Sequence, residues 1–202
     1  MKETPIFEEV FARTLGLPGF WSKVLIGGLL AFVPVLNLFA FGYLFRLSSG
    51  VRETGRLALP EWTDWQGLFI DGLRFAVVWL AYWLAPVLLA ALVSRLIWSV
   101  GLLALSYLLL SVVFLLSPVL FSSALYRYNM RRDLKDLLDV SLIIRMTSMA
   151  FPGLMIPALA FAGILAVAAP LYGFALFFGF LILIVHSSLS YRALEQGRAM
   201  AF

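Results

Sequence analysis

The chain has 202 residues, a formal net charge of +4, 63% hydrophobic and 13% charged residues, and no cysteine. That charged share is about half the usual one for a soluble domain, and the missing cysteines exclude disulfides and thiolate metal sites. A positive balance can also mark nucleic-acid binding. Here basic residues flank long apolar runs, so a membrane explains the charge better and no nucleic-acid partner is expected.

Four stretches carry no charged side chain: Val24–Phe45, Phe75–Ser94, Leu96–Tyr126 and Met146–Tyr191. About 20 apolar residues cross a bilayer core. Each stretch reaches that length, and the last is long enough to cross twice. No linker or low-complexity tract divides the chain. The expectation is one all-α integral membrane domain over residues 1–202. It has four full transmembrane helices, a re-entrant helical hairpin and cytoplasmic interfacial amphipathic helices.

The N-terminal arm opens with Glu3 where a signal peptide would be basic, so insertion is expected from internal segments. Thr4-Pro5 reads as a helix start, with Thr4 as cap and Pro5 at the first helical position. Ile6, Phe7, Val10, Phe11 and Leu15 then share a stripe opposite Glu8, Glu9 and Arg13. Residues 4–15 are therefore expected to form an interfacial helix. Trp21 and Lys23 follow as a belt residue and a basic anchor.

Residues 24–45 admit two readings, a re-entrant hairpin or a kinked span. Pro34-Val35-Leu36-Asn37 sits at the centre, flanked by Gly27-Gly28 and Gly42. Proline breaks a helix, and Asn37 at membrane depth needs a partner. The positive-inside rule favours the hairpin. If this segment crosses fully, 11 basic residues fall on one face and 4 on the other; if it returns, the split is 14 to 1, with only Arg95 outside. Both termini are then cytoplasmic.

Leu59-Pro60-Glu61-Trp62-Thr63-Asp64-Trp65 is the most distinctive run. Over residues 60–74, Trp62, Trp65, Leu68, Phe69, Gly72 and Leu73 share one helical face, and Asp64, Asp71 and Arg74 share the other. This reads as a surface helix feeding the span 75–94. Glu61, Asp64 and Asp71 are candidates to hold Arg46, Arg52 or Arg56. Further spans are expected at 100–126, 150–168 and 171–191, the last two turning near Ala168-Ala169-Pro170. Between them, residues 131–145 read as another interfacial helix, with Leu134, Leu137, Leu138 and Leu142 on its apolar face. Ala158, Ala162 and Ala166, and Ala175 and Gly179, recur at the spacing that lets helices approach closely in lipid.

Asn37, Gly42-Tyr43, Arg46, Leu59-Pro60-Glu61-Trp62, Asp64-Trp65, Phe69 and Asp71-Gly72 occur in an order and spacing that resembles a prokaryotic membrane family known only as a domain of unknown function. The resemblance covers about residues 23–82. It implies a multi-pass protein of the prokaryotic cytoplasmic membrane and carries no assigned activity.

The candidate polar site is thus Asn37, Tyr43, Arg46, Glu61, Asp64 and Asp71. The candidate interfacial anchors are Phe7, Phe11, Trp21, Trp62, Trp65 and Phe69. Chemistry has little to build on. His186 is the lone histidine. Asp133, Asp136 and Asp139 are spaced to hold Mg²⁺ in principle, yet no phosphate loop or nucleophile–base pair accompanies them. No catalytic residue, metal or cofactor is expected. The leading expectation is a non-catalytic protein that organises membrane lipids or partner proteins, itself included. The alternative is an oligomeric channel or uncoupled transporter for small solutes. Carriers usually place charge within the spans, and here the acidic residues lie outside them.

Overall fold

A computed structural model describes residues 5–199. They form eight α-helices: α1 Phe7–Leu15, α2 Phe20–Phe32, α3 Asn37–Thr54, α4 Trp65–Trp79, α5 Ala85–Ser99, α6 Leu103–Arg131, α7 Val140–Val167 and α8 Tyr172–Ala199. Among the described residues there is no strand. Four helical segments are long and apolar enough to cross a membrane: Trp65–Ser99, Leu103–Arg131, Val140–Val167 and Ala169–Gly197.

The last segment is the pillar. Of its apolar window 61% is buried, against 17% for Trp65–Ser99. Helices α1, α2, α3, α6 and α7 all pack on α8. Phe180 sits at the middle of an aromatic cluster, with Phe161, Phe121 and Phe75 at centroid distances of 4.8, 5.3 and 5.8 Å. All four rings are essentially inaccessible. Serines supply polar contacts beside this core. Asn129 donates to Ser48 at 2.8 Å and accepts from Ser49 at 3.3 Å, and Ser48 also meets Ser188 at 3.3 Å. Each polar group there has a partner, as burial away from water requires.

Proline-free geometry cannot hold at Val33–Leu36, and the chain reverses there. Val35 adopts φ 74° and is exposed, a conformation that costs a β-branched residue about 1–2 kcal/mol. Helices α2 and α3 then run antiparallel. Phe32 and Gly27 of α2 lie beside Tyr172 and Phe177, so α2 opposes α8 in direction. Tyr43, Ser48 and Arg52 of α3 lie beside Phe177, Ser188 and Arg192, so α3 runs with α8. The Tyr172 hydroxyl donates to Phe32 O at 2.6 Å. The hairpin tip is therefore level with the first residue of α8, not half-way along it. Gly27 and Gly28 do not break α2; they leave the space taken by the rings of Phe177 and Phe174.

Helix α4 continues into α5 through a π-helical turn at Leu80–Leu84. Pro86 explains it. Proline has no N–H for the Tyr82 carbonyl, and its ring crowds that carbonyl; the wider turn absorbs the misfit, with Ala85 N–H bonded to Leu80 O. Beyond this turn α5 packs on α6 alone among the other α-helices with which it shares substantial contact. Ser94 and Ser106 clasp the pair, each hydroxyl donating to the other's carbonyl at 3.0 and 2.9 Å. Leu88, Leu89, Leu92, Leu96, Leu105 and Leu108 remain exposed around this arm.

Two expected surface helices take a different form. Residues 60–64 are irregular, and the helix that begins at Trp65 is continuous with the span. The apolar face read over 60–74 belongs to the first turns of a transmembrane helix: Leu68 and Gly72 pack on α3, while Trp65 and Leu73 stay exposed. Residues 131–145 are not one helix. Arg132 at φ 56° ends α6, Leu134–Leu137 is a 3₁₀ turn, and α7 starts at Val140. Aspartates make these breaks: Asp133 accepts from Lys135 N at 2.9 Å and Asp139 caps α7 by accepting from Leu142 N at 3.1 Å. Asp136 pairs with Arg127 at 2.8 Å. Only Leu137 of the four expected face leucines is buried. Helix α1 is present and meets α2 at a bend of 92°. Its expected cap, Thr4, lies outside the described residues.

The tightest contact joins α3 and α4. A Cβ on Gly42 would stand 1.9 Å from Leu68 O, and one on Gly72 would stand 1.9 Å from Leu38 O. Gly50 of α3 has open space. Gly42→Ala should therefore lower the stability of the solubilised protein by about 1–3 kcal/mol through overpacking, whereas Gly50→Ala should raise it by up to about 1 kcal/mol through helix propensity. Thermal melts of the two variants test the contact; equal shifts of the same sign would contradict it.

Candidate functional site

The chain reverses between α3 and α4, and the motif residues converge on that reversal. Leu38, Gly42 and Arg46 occupy successive turns on one face of α3. Gly72, Leu68 and Asp64 face them in reverse order on α4 and its cap. Because the two glycines bring the backbones together, Arg46 meets the start of α4 directly. Its Nε donates to Asp71 Oδ2 at 2.9 Å, one terminal nitrogen to Asp64 Oδ2 at 2.8 Å, and the other to Thr63 O at 3.2 Å. Asp71 also pairs with Arg74 at 2.8 Å.

Asp64 does two jobs. At φ 53° it sits in the left-handed region that aspartate tolerates, and its carboxylate accepts from Gly67 N at 3.2 Å as the N-cap of α4. A Cβ on Gly67 would fall 2.1 Å from Asp64 Oδ2 and 2.3 Å from an Arg46 nitrogen, so only glycine leaves room for the pair. The Asp64 carboxyl is held below the ordinary carboxylate range, first by the Gly67 N–H and then by the Arg46 guanidinium.

Glu61 pairs with Lys23, not with an arginine. Lys23 Nζ stands 2.6 Å from Glu61 Oε1 and donates to Leu59 O at 3.2 Å. This ties the start of α2 to the 55–64 connection. Trp62 lies over the buried ring of Tyr43, with centroids 4.3 Å apart and planes at 21°, and Trp65 follows at 6.1 Å from Trp62. The Tyr43 hydroxyl and the Trp62 indole N–H are buried without a hydrogen-bond partner among the described residues.

The structure thus brings together Tyr43, Arg46, Glu61, Asp64 and Asp71 at one end of the hairpin. It does not bring Asn37 there. Asn37 begins α3 near the opposite tip. Its backbone N–H bonds Val33 O at 2.9 Å, and its side chain makes no hydrogen bond among the described residues. Arg52 and Arg56 also stand away: Arg52 contacts Glu53 at 3.5 Å. Of the anchors, Trp21 and Trp65 are exposed, at 67% and 48%. Phe7 and Phe11 pack toward α8, against His186 and Phe178, and Phe69 packs on Phe39. Sequence reading missed Lys23 as the Glu61 partner and Gly67 as the spacer. Arg74 was legible as the i+3 partner of Asp71.

Chemically, this arrangement is a clamp. The guanidinium is saturated by two carboxylates and a carbonyl, and both aspartates are engaged. Asp133, Asp136 and Asp139 do not converge either, and among the described residues no group of three or more His, Asp or Glu is placed to hold a metal.

Four helices long and apolar enough to cross a membrane, packed with a helical hairpin, define a multi-pass α-helical membrane protein. The chain belongs to the family described as protein of unknown function (DUF4013), which matches residues 25–186. The match takes in the motif and reaches from α2 into α8, well past the 23–82 of the motif itself. No curated protein and no solved structure matches the chain.

Two substitutions should separate the clamp's halves. Asp71 and Arg46 are largely covered, with side-chain exposures of 16% and 24%, whereas Asp64 is 64% exposed. Asp71→Ala should cost about 2 kcal/mol by leaving a half-buried guanidinium short of a partner; Asp64→Ala should destabilise by another route, through the lost cap of α4 and a left-handed backbone that alanine tolerates poorly. The pH dependence has a fixed sign. Asp64 has a folded pKa below its unfolded value, so its contribution is present above about pH 4. It is lost as the pH falls through the lower folded value. Asp64→Asn should flatten that acid limb of the melting profile, and an unchanged limb would remove Asp64 as its source.

Proposed function

We propose that this protein is a non-catalytic organiser of membrane lipids or partner membrane proteins, resident in the prokaryotic cytoplasmic membrane. The observation that carries the reading is the α5–α6 arm. Helix α5 packs chiefly on α6, and the arm they form exposes a surface of leucines that the rest of the chain leaves uncovered. Such a surface needs an apolar neighbour. The clamp argues the same way, since its charged groups bind one another and leave none directed at a solute. The aromatic packing around Phe180 fills the centre of the bundle where a conduction path would run.

In this reading both termini are cytoplasmic. The α2–α3 hairpin enters from that side and returns to it, and the α5–α6 and α7–α8 turns lie outside. The basic residues support this orientation, since 14 of the 15 are then cytoplasmic. The chain lacks cysteine, so single cysteines report cleanly. A cysteine replacing Leu138, between α6 and α7, should label only from the cytoplasmic side; one replacing Val100, at the α5–α6 turn, should label only from outside. The reverse pattern would overturn the orientation.

Function itself is tested in vesicles. Purified protein in liposomes should not raise the leakage of ions or small anions above that of protein-free vesicles. A photoreactive residue at Leu92 should crosslink to acyl chains or to a neighbouring membrane protein. A saturable, selective flux that Asn37→Leu abolishes would instead establish a channel.

A further inference from the structure

A cleft of about 920 Å³ opens between α1, the turn after α3 and the last turns of α8. Its size falls within the range of small-molecule sites, roughly 300–1,000 Å³. Val10, Leu57 and Leu189 contribute apolar lining; Arg13, Arg56 and Arg192 contribute guanidinium groups. None of these belongs to the clamp.

The charges are unbalanced. Glu9 also lines the cleft, but it pairs with Arg13. Arg56 has neither an ion pair nor a side-chain hydrogen bond among the described residues; only its backbone N–H is bonded, to the Thr54 hydroxyl. Arg192 has no carboxylate partner among them either. It donates to the Arg52 carbonyl in the last turn of α3. Its guanidinium lies against Gly55, where a Cβ would stand 2.8 Å from Cζ. Gly55 is also at φ 69°, so both space and backbone require glycine there. Arg192 is therefore held in place, and among the described residues Arg56 and Arg192 line one cleft with no carboxylate paired to either.

Depth identifies the ligand class. Arg192 directly follows the uncharged run that ends at Tyr191. The cleft thus sits at the end of the apolar part of α8, where a span leaves the hydrocarbon and lipid phosphates lie. Guanidinium groups bind phosphate through paired, charge-assisted hydrogen bonds, and the apolar lining suits an acyl chain. We propose that this cleft binds one phosphate-bearing amphiphile, with its phosphoryl group on Arg56 and Arg192 and its chain along Leu57 and Leu189. The surface is separate from the α5–α6 arm, and the proposal stands whether or not the arm binds anything.

Native mass spectrometry of the full-length protein in detergent tests this. The probes are phosphatidylglycerol, phosphatidylcholine and inorganic phosphate. Wild type should hold one phosphatidylglycerol in preference to phosphatidylcholine. Arg56→Ala should weaken that binding by about tenfold, the worth of a hydrogen bond to a charged group. Arg56 is exposed and has no side-chain partner among the described residues, so this variant should keep the wild-type melting temperature. Arg145→Ala removes a basic residue outside the cleft and should leave binding within about twofold. Equal losses in the two variants would reduce the effect to general charge attraction and overturn the site. Inorganic phosphate that binds as tightly as the lipid would also overturn it, because the apolar lining would then contribute nothing. Gly55→Ala, which must displace the Arg192 guanidinium, should weaken the lipid as Arg56→Ala does. Unchanged binding in Gly55→Ala would count against Arg192.

Discussion

The contact between the backbones of α3 and α4 at Gly42 and Gly72 is the constraint on which the rest depends. Lipid tails are as apolar as leucine, so helices in a bilayer gain little from burying apolar surface against each other. They associate through close packing, short polar contacts and small residues. Here each glycine's missing Cβ is the space occupied by a carbonyl of the other helix. At that separation Cα–H groups also face carbonyl oxygens, a weak but recurrent attraction. The contact fixes how far apart the helices lie and in what register. Only in that register does Arg46 reach both Asp64 and Asp71, and only then does Trp62 cover Tyr43. Gly67 extends the same logic by one turn, leaving the volume that the carboxylate and guanidinium share. Charge pairs follow from the backbone approach and do not cause it.

How much of this was legible in the residues divides along physical lines. Hydropathy exposes the spans, because a bilayer imposes a length on any apolar helix that crosses it. The Leu59–Trp65 run, with Gly42, Arg46 and Asp71-Gly72, also stood out as a unit, and the fold does gather most of it. Pairing did not follow from spacing. Lys23 was read as a headgroup anchor, yet it meets Glu61 from 38 residues away, a contact that only the return of α2 beside the 55–64 connection creates. Periodicity misled at 60–74 and 131–145. An apolar face facing lipid headgroups and one facing another helix have the same pattern. At 131–145 the aspartates decide instead: each offers its carboxylate to a local N–H or a nearby arginine, and the helix breaks where two of them cap. Asn37 shows the opposite error. It lies at the exposed end of a hairpin longer than expected, where its side chain has no need of a protein partner.

Prolines place polar capacity inside the bundle, and the fold uses it. Pro157 has no N–H for the carbonyl of Gly153, four residues earlier. His186 from α8 approaches that carbonyl at 3.1 Å through Nε2. A carbonyl only accepts, so Nε2 carries the hydrogen and the ring bridges α7 to the central helix. The proline opposite thus gives Nε2 of the lone histidine its partner. Pro86 makes the complementary choice: no side chain answers the carbonyl it frees, and the backbone widens into a π turn.

That difference divides the molecule mechanically. On the α8 side of the π turn, glycine contacts, the Arg46 clamp, the Asn129 serine cluster and the His186 bridge restrain every helix against another. On the far side, α5 shares substantial contact with α6 alone among the other α-helices, and the two Ser94–Ser106 hydrogen bonds clasp the pair. The arm is therefore the element whose position the rest of the chain determines least. A largely buried central helix and an apolar arm are thus set apart by the π turn that Pro86 imposes.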